Sequence, residues 1–263
     1  LQTVIISHKL RGVEARKSIQ VLPGKAEKFL TINFPESFIA GTLQKVKIIS
    51  VDRWNNLSDY KEDCFLCDEK NLLKIKKITC DKGVWEEEIT FNKALEENRI
   101  LLYNKKGKIF SSPSFSIIPS QPEKILISTV PTATAGKSID VEISIIDKYG
   151  NVCKDFEGEL KMEISDAKSQ FPEEIYFKKE DKGIRKVRMT FYTSGKHKIK
   201  VYNENLKGEK EIYVSAGNLH HFSIEKIKTQ IAGKPFAILI RAEDKWGNRV
   251  KGFELKDLTG SAR

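Results

Sequence analysis

A five-residue turn motif recurs three times in this 263-residue chain at nearly equal intervals. Each copy follows an Ala-Gly pair and an apolar segment, and reads Asp, two further residues, then Gly-Asn or Asn-Asn. The aspartates stand at positions 52, 147 and 244, which are 95 and 97 residues apart. Because a fixed period of this length is typical of domains arranged in series, the sequence predicts tandem β-domains of about 100 residues each.

The segment before each aspartate predicts a half-buried β-strand that ends in a tight turn. Between Ile139 and Ile145 apolar residues alternate with polar ones, which gives a strand one apolar face. A turn of this kind needs a residue that tolerates positive φ and a carboxylate that accepts hydrogen bonds from turn amides. The residues assigned to these turns are Asp52, Asn56, Asp147, Gly150, Asn151, Asp244, Gly247 and Asn248, with Asn55 in place of the glycine in the first copy.

Turn signals are frequent along the chain and long helical periodicity is missing. This combination favours an all-β fold of tandem immunoglobulin-like antiparallel β-sandwiches. The stretch from Phe91 to Asn98 could hold one helical turn, and His197 is expected at a turn or a sheet edge.

The repeats divide the chain into four parts. We expect residues 1–22 to be the tail of one repeat, 23–118 and 119–215 to be whole sandwiches, and 216–263 to be the head of another. The first residue is Leu1 rather than Met, and the segment from Val4 to Val21 resembles the closing hairpin from Ile199 to Val214. The chain is therefore expected to be a piece of a longer protein, with neighbouring modules of the same chain as its first partners.

The repeat resembles the immunoglobulin-like modules of bacterial invasin and intimin. The residues that carry the likeness are Pro131, the Ala135-Gly136 pair, the segment from Asp147 to Val152 and the Phe156-Glu157-Gly158 triplet; the third copy, from Ile240 to Asn248, fits the pattern best. The resemblance implies an extracellular or cell-surface location. Such sandwiches serve adhesion, spacing and enzyme accessory roles alike, so it implies a fold more specifically than a function.

The composition gives little sign of catalysis or of a membrane span. The chain carries 46 Lys and Arg against 36 Asp and Glu, a net charge of +10, which attracts polyanions. The basic residues are interleaved with glutamates, however, and no recognition helix or stacked aromatics accompany them, so no specific nucleic acid is expected as a partner. Apolar runs are far shorter than the ~20 residues of a membrane helix. Gly136-Lys137-Ser138 imitates a phosphate-binding loop, but a strand rather than a helix is predicted to follow it.

Four cysteines leave three alternatives open. Cys64, Cys67 and Cys80 have a spacing that could suit three zinc ligands, but the fourth ligand is missing locally and Cys153 belongs to the next repeat. A disulfide of Cys80 with Cys64 or Cys67, or plain packing as free thiols, would use the same residues. No Ser/His/Asp or Cys/His catalytic set can be assembled, and we expect no cofactor.

One aromatic position recurs beside each turn. Trp54, Tyr149 and Trp246 align just before the Gly or Asn of the motif. A repeated aromatic at a turn favours packing on a neighbouring strand or module, and stacking on sugar rings is the alternative. The turns offer oxygen atoms for calcium, but each supplies a single aspartate, which favours capping of the turn.

These observations predict a non-catalytic fragment of a larger bacterial exported or cell-surface protein. Its repeats would act as spacer, presentation or adhesion modules, with a surface glycan or protein as a candidate partner. The alternative is a set of glycan- or polyanion-binding accessory modules attached to an enzyme outside the fragment, such as a metal-dependent hydrolase.

Overall fold

The structure is a computed structural model that describes residues 2–10 and 13–252. The described part is built from β-strands, and the single helix in it is a three-residue 3-10 turn at Lys179–Asp181. The predicted all-β fold of antiparallel immunoglobulin-like sandwiches is confirmed. Two compact units divide the chain, Leu1–Ser120 and Gln121–Arg263. The predicted repeat head at 216–263 is described as far as residue 252, and 253–263 lie outside the described residues.

The first unit contains twelve strands in its described residues. They are β1 (Gln2–Leu10), β2 (Val13–Val21), β3 (Lys28–Ile32), β4 (Ser37–Ile39), β5 (Gln44–Val51), β6 (Tyr60–Asp68), β7 (Lys76–Cys80), β8 (Val84–Ile89), β9 (Leu95–Asn98), β10 (Ile100–Asn104), β11 (Gly107–Ser111) and β12 (Phe115–Ile118). Strands β1 and β2 pair with each other as a hairpin. The remaining strands form the sheets β3-β5-β8, β11-β10-β6-β7 and β4-β12-β9.

The second unit repeats this plan. Its described strands are β13 (Lys124–Ser128), β14 (Thr132–Thr134), β15 (Ser138–Ile146), β16 (Gly158–Ile164), β17 (Glu174–Phe177), β18 (Ile184–Thr190), β19 (Gly195–Tyr202), β20 (Lys207–Ser215), β21 (His221–Ile224) and β22 (Ile240–Glu243). They form a three-stranded sheet β13-β15-β18, a five-stranded sheet β14-β20-β19-β16-β17 and the pair β21-β22. The sandwich is antiparallel except where β14 runs parallel to β20.

Alternation in the sequence decides which residues fill the sandwich. In β15, Val141, Ile143 and Ile145 are fully buried, and β13 places Ile127 directly opposite Ile143. Leu160 and Ile199 enter the same core from the facing sheet. Because successive side chains of a strand point to opposite faces, the lysines and glutamates between them reach solvent.

A proline explains why the first repeat has two small sheets where the second has one sheet of five strands. Pro113 follows Ser112 between β11 and β12, and proline has no N–H for the ladder. Ser112 compensates locally, since its hydroxyl oxygen accepts a hydrogen bond from Ile100 N–H at 2.9 Å. The helical turn suggested for Phe91 to Asn98 is wrong, because Leu95–Asn98 forms strand β9 against β12.

Candidate functional site at the repeat junction

The three aspartate turns have the same internal geometry. In each, one carboxylate oxygen accepts hydrogen bonds from the amides two and four residues later; for Asp244 these are Trp246 N–H at 2.9 Å and Asn248 N–H at 2.8 Å. Asp52 and Asp147 make the equivalent bonds at 2.9 Å. The fourth residue of each turn is left-handed, with φ of 68° at Asn55 and 84° at the two glycines, so only Gly or Asn suits it without strain.

The second oxygen of the carboxylate reaches outside the turn. Asp244 Oδ2 accepts a hydrogen bond from Gly217 N–H at 2.8 Å, and Asp52 Oδ2 accepts one from Gly24 N–H at 2.9 Å. Gly217 and Gly24 lie in the segments that lead into the respective repeats. The aspartate therefore fixes the start of its repeat as well as its own turn.

Hydrogen bonds hold these buried aspartates in the charged form. Burial acts to raise the pKa of Asp52, but donors from the Asn56 side chain and from the amides of Gly24, Asn56 and Trp54 outweigh it and bring the pKa to about 2. The pKa of Asp244 is lowered in the same way, against burial, by Asn248, Gly217 and Trp246. A buried carboxylate is tolerated because donors replace the water it loses.

Trp246 packs the third turn against the sandwich of residues 119–215. Its ring lies directly over Gly136, so that a Cβ built onto that glycine would overlap the indole. The ring also lies near Gly217, where a Cβ would stand 3.1 Å from Cζ3. The ring is 5.6 Å from that of Tyr192 and packs on the buried core of the sandwich. The indole thus leaves no room for a side chain at 136 and little at 217, and the φ of 79° at Gly136 favours glycine there as well.

Asn248 adds polar contacts beside the indole. Its Oδ1 accepts a hydrogen bond from Ser194 N–H at 2.7 Å, and its Nδ2 donates to the Tyr192 carbonyl and to Asp244 Oδ2, both at 2.8 Å. The side chain is nearly fully buried. One asparagine therefore joins the 192–194 loop of one sandwich to the aspartate of the following segment.

Asp166, which the sequence did not single out, and His197 hold this loop in place. Asp166 is buried, and its Oδ2 accepts hydrogen bonds from the amides of Tyr192 at 2.8 Å and Thr193 at 2.9 Å. His197 is also buried, inside the five-stranded sheet, and its Nε2 donates to the Thr193 carbonyl at 2.8 Å. The expectation that His197 is a turn or edge residue is wrong, because its ring stacks on Phe191 within the sandwich.

The repeat period itself could have revealed the first of these residues. Asp68 is the counterpart of Asp166 in the preceding repeat, 98 positions earlier, and it is the last residue of the inner strand β6. Its carboxylate accepts hydrogen bonds from Leu73 N–H at 2.6 Å and from Asn98 Nδ2 at 2.8 Å. A second aspartate with the period of the turns is the signal in the sequence.

The aligned aromatics have different surroundings. Trp246 is half-buried at the junction, whereas Trp54 is 67% exposed, with the Arg53 guanidinium 4.7 Å from its ring centroid. Tyr149 is half-buried, with the Lys148 ammonium 4.9 Å from its ring. Of the three candidate ligand-contact residues, Trp54 presents the most open ring.

The cysteines are free thiols in the structure. Burial raises the pKa of Cys64 and of Cys153 to about 11, with smaller contributions from the nearby Cys80 and Asp147 respectively, and burial also raises those of Cys67 and Cys80. Since the thiolate is the reactive form, these side chains are poor nucleophiles at neutral pH.

Residues 2–10 and 13–252 contain no group of three or more His, Cys, Asp or Glu side chains placed to hold a metal ion. Within the same residues no helix is long and apolar enough to cross a membrane. Gly136-Lys137-Ser138 leads into strand β15, and its glycine is covered by the indole. This is not the helix N-terminus that phosphate binding requires.

The densest basic stretch, Arg185–Arg188, is paired with acidic residues on neighbouring elements. Arg188 pairs with Asp140 at 2.9 Å, Arg185 with Asp181 at 3.1 Å, and Lys186 with Glu142 at 3.7 Å. These pairs are exposed, so each adds little stability. Their effect is to neutralise the stretch as a surface for polyanions.

No protein-family profile and no curated protein matches the chain in sequence. Among solved structures it is similar to the Escherichia coli adhesin FdeC, with a TM-score of 0.45 and 13% identity over 88% of this chain and 79% of that one. For Yersinia pseudotuberculosis InvD the TM-score is 0.42 and the identity 12%, over 84% and 72% of the two chains. A β-glycosidase from Bacteroides vulgatus gives 0.35 and 17%, over 73% of this chain and only 25% of the enzyme.

Replacing Gly136 by Ala is expected to displace Trp246 from the sandwich. Gly150→Ala is the matched control, because Gly150 has nearly the same φ, 84° against 79°, but has no atom within 4 Å of its Cβ position. Both variants carry the strain of a left-handed alanine, about 1–2 kcal/mol, and only the first meets the ring. In ¹⁹F NMR of the 5-fluorotryptophan protein, the Trp246 resonance should move toward the position of free tryptophan in Gly136→Ala alone. Equal shifts in the two variants would show that the indole does not rest on Gly136.

Acid is expected to destabilise the first repeat through Asp52. Because the folded pKa lies below the ordinary value of 3.8, the carboxylate stabilises the fold above about pH 5 and loses this effect as the pH falls toward 2. The urea midpoint of the first unit should fall over this window. Asp52→Asn should be less stable at pH 7 and show a flatter dependence, while Asn at the exposed Asp59 should leave the profile unchanged. A parallel fall for the wild type and Asp52→Asn would contradict this assignment.

Proposed function

We propose that the chain is a non-catalytic array of immunoglobulin-like modules from a bacterial exported or cell-surface protein, and that it spaces and presents an adhesive or other domain. The observation that carries the proposal is the junction at Asp244, Trp246 and Asn248. A spacer must resist bending where modules meet, and this junction combines a half-buried aromatic with directional hydrogen bonds to the preceding sandwich. The loop that receives the turn is itself held in place by Asp166 and His197.

Two further features are compatible with an exported location. Three of the four thiols are buried, Cys67 is half-buried, and burial raises the pKa of each, so free cysteines are compatible with an oxidising environment. The exposed faces of the sheets carry alternating lysines and glutamates in cross-strand pairs, such as Lys198 with Glu209 at 3.1 Å. Charged faces of this kind keep strands from pairing with other chains.

The spacer function requires residues 216–252 to move together with the sandwich before them. Amide ¹⁵N relaxation should give Ile240–Glu243 the same rotational correlation time as β19 in the wild-type chain. In Gly136→Ala the segment should reorient faster, and in Gly150→Ala it should not. Independent motion in the wild type would remove the basis for a spacer.

A second candidate function is binding of a glycan or polyanion as an accessory module of an enzyme outside this fragment. The observation that favours it is the exposure of Trp54, since an open indole with an arginine beside it can stack on a sugar ring. On this hypothesis Trp54→Ala should lower the salt concentration that elutes the chain from a heparin column, and Tyr149→Ala should have a smaller effect. Identical elution of Trp54→Ala and the wild type would exclude Trp54 as a ligand contact.

A further inference from the structure

The Trp54 turn has the same geometry as the Trp246 turn, but the Trp54 ring is exposed, whereas the Trp246 ring rests on a glycine of the preceding sandwich. In both turns the carboxylate holds the amide of a preceding glycine, Gly24 or Gly217, at 2.9 and 2.8 Å. In both, the indole Cζ3 lies near that glycine, 3.5 and 3.1 Å from a Cβ built on it. The Trp246 ring also covers Gly136 of the preceding sandwich, whereas Trp54 is 67% exposed. The Trp54 ring is therefore positioned for docking on a surface like the turn around Gly136 before β15. We call this turn the Gly136 corner, and its equivalent in any repeat the glycine corner.

The hairpin just before this turn shows the same relation to the closing hairpin of the second sandwich. Gln2 pairs with Val21 in β1-β2 as Gly195 pairs with Val214 in β19-β20. When the two hairpins are aligned on these pairs, four side chains of the first take the positions of four side chains of the second. Val4, Ile6, Ile19 and Val21 correspond in that order to His197, Ile199, Ile212 and Val214. The second set is at most 9% exposed, beneath the sheet β13-β15-β18. The first set is 44 to 55% exposed.

The neighbours of β19-β20 show what is missing around β1-β2. Strand β16 pairs with β19, and β14 pairs with β20. Among the described strands, β1 and β2 pair with each other alone. A two-stranded hairpin is marginally stable in water, and an exposed apolar stripe of this kind marks an interaction surface.

We propose that β1-β2 and the Trp54 turn together form the docking surface for a further immunoglobulin-like module of the same repeat type, with β1 and β2 as its last two strands. The body of that module supplies the strands equivalent to β13–β18, and its glycine corner receives Trp54. The corner is a property of the repeat: Gly41 and Gly136 both have φ near 75–79°, and their amides donate to the carbonyls of Phe91 and Phe191.

The two whole repeats of a second copy do not fit the surface. Both whole repeats already contain a hairpin at this position, β10-β11 in the first and β19-β20 in the second. A whole repeat of a copy could cover β1-β2 only by exchanging a strand pair that is already in its own sandwich. Residues 216–252 of a copy offer only the described strand pair β21-β22, without equivalents of β16–β18. The inference rests on the proposed function in treating the turn as another module junction, and the relaxation experiment above tests that function separately.

Two grafts onto the full chain test the proposal. In the first, residues 121–214 replace residues 1–21, which places a complete second sandwich and its Gly136 corner before Leu22. In the second, residues 121–194 are joined directly to Gln2, so that β1-β2 must complete the grafted sandwich. Neither graft adds a tryptophan to the three of the parent chain. The ¹⁹F resonance of 5-fluoro-Trp54, assigned with Trp54→Phe, reports exposure through its shift between H₂O and D₂O.

We expect the large isotope shift of Trp54 in the parent chain to fall to that of Trp246 in both grafts. Gly136→Ala in the grafted copy should restore the large shift, and Gly150→Ala in that copy should not. In the second graft the amides of β1 and β2 should also gain the hydrogen-exchange protection of β19 and β20. If the first graft folds and Trp54 keeps its large isotope shift, docking at the turn is wrong.

Two other results would overturn the remaining parts. If the first graft protects Trp54 but the second leaves β1-β2 unprotected, the hairpin does not belong to the docking module. If the parent chain forms a dimer in which Trp54 is already protected, the occupant is a second copy. Sedimentation velocity of the parent chain over a range of concentrations decides this last point.

Discussion

A carboxylate that is buried while charged is the constraint on which each repeat depends. Removing a charge from water costs several kcal/mol unless hydrogen-bond donors replace the lost solvent. In the aspartate turns the donors are backbone amides, which can be in place only if the turn is tight and its fourth residue is left-handed. The strand before the turn, the turn itself and the segment leading into the repeat are thereby fixed around one side chain.

At the junction the same device connects successive repeats. Asp244 holds its own turn with one oxygen and Gly217 with the other, while Asn248 bridges that carboxylate to the 192–194 loop. The indole of Trp246 excludes water from these bonds, because it covers Gly136 and packs on the core. Burial of the apolar ring stabilises the junction, and the hydrogen bonds fix the orientation of the turn on the sandwich. This combination is what the proposed role of a spacer requires.

The sequence predicted the parts of this architecture that depend on local chemistry. Alternation from Ile139 to Ile145 gave β15 and its buried face, and the Asp-x-x-Gly-Asn pattern gave the turn with its left-handed residue. It could not predict which distant amides the second carboxylate oxygen would reach, because Gly24 and Gly217 are 28 and 27 residues away. Nor could it predict that Trp54 is exposed while Trp246 is half-buried. The two have the same local motif, and their exposure is decided by whether a sandwich lies against the ring.

Gly136 shows how far such a contact reaches. The three atoms nearest to a Cβ built at this position all belong to the ring of Trp246, which lies in the segment that follows the sandwich. The two positions are therefore coupled in sequence variation, since a side chain at the corner is compatible only with loss of the aromatic from the next turn. The order of such modules is therefore constrained. If modules are recombined, a junction is expected to remain rigid only where one module has glycine at the Gly136 position and the next has an aromatic at the Trp246 position.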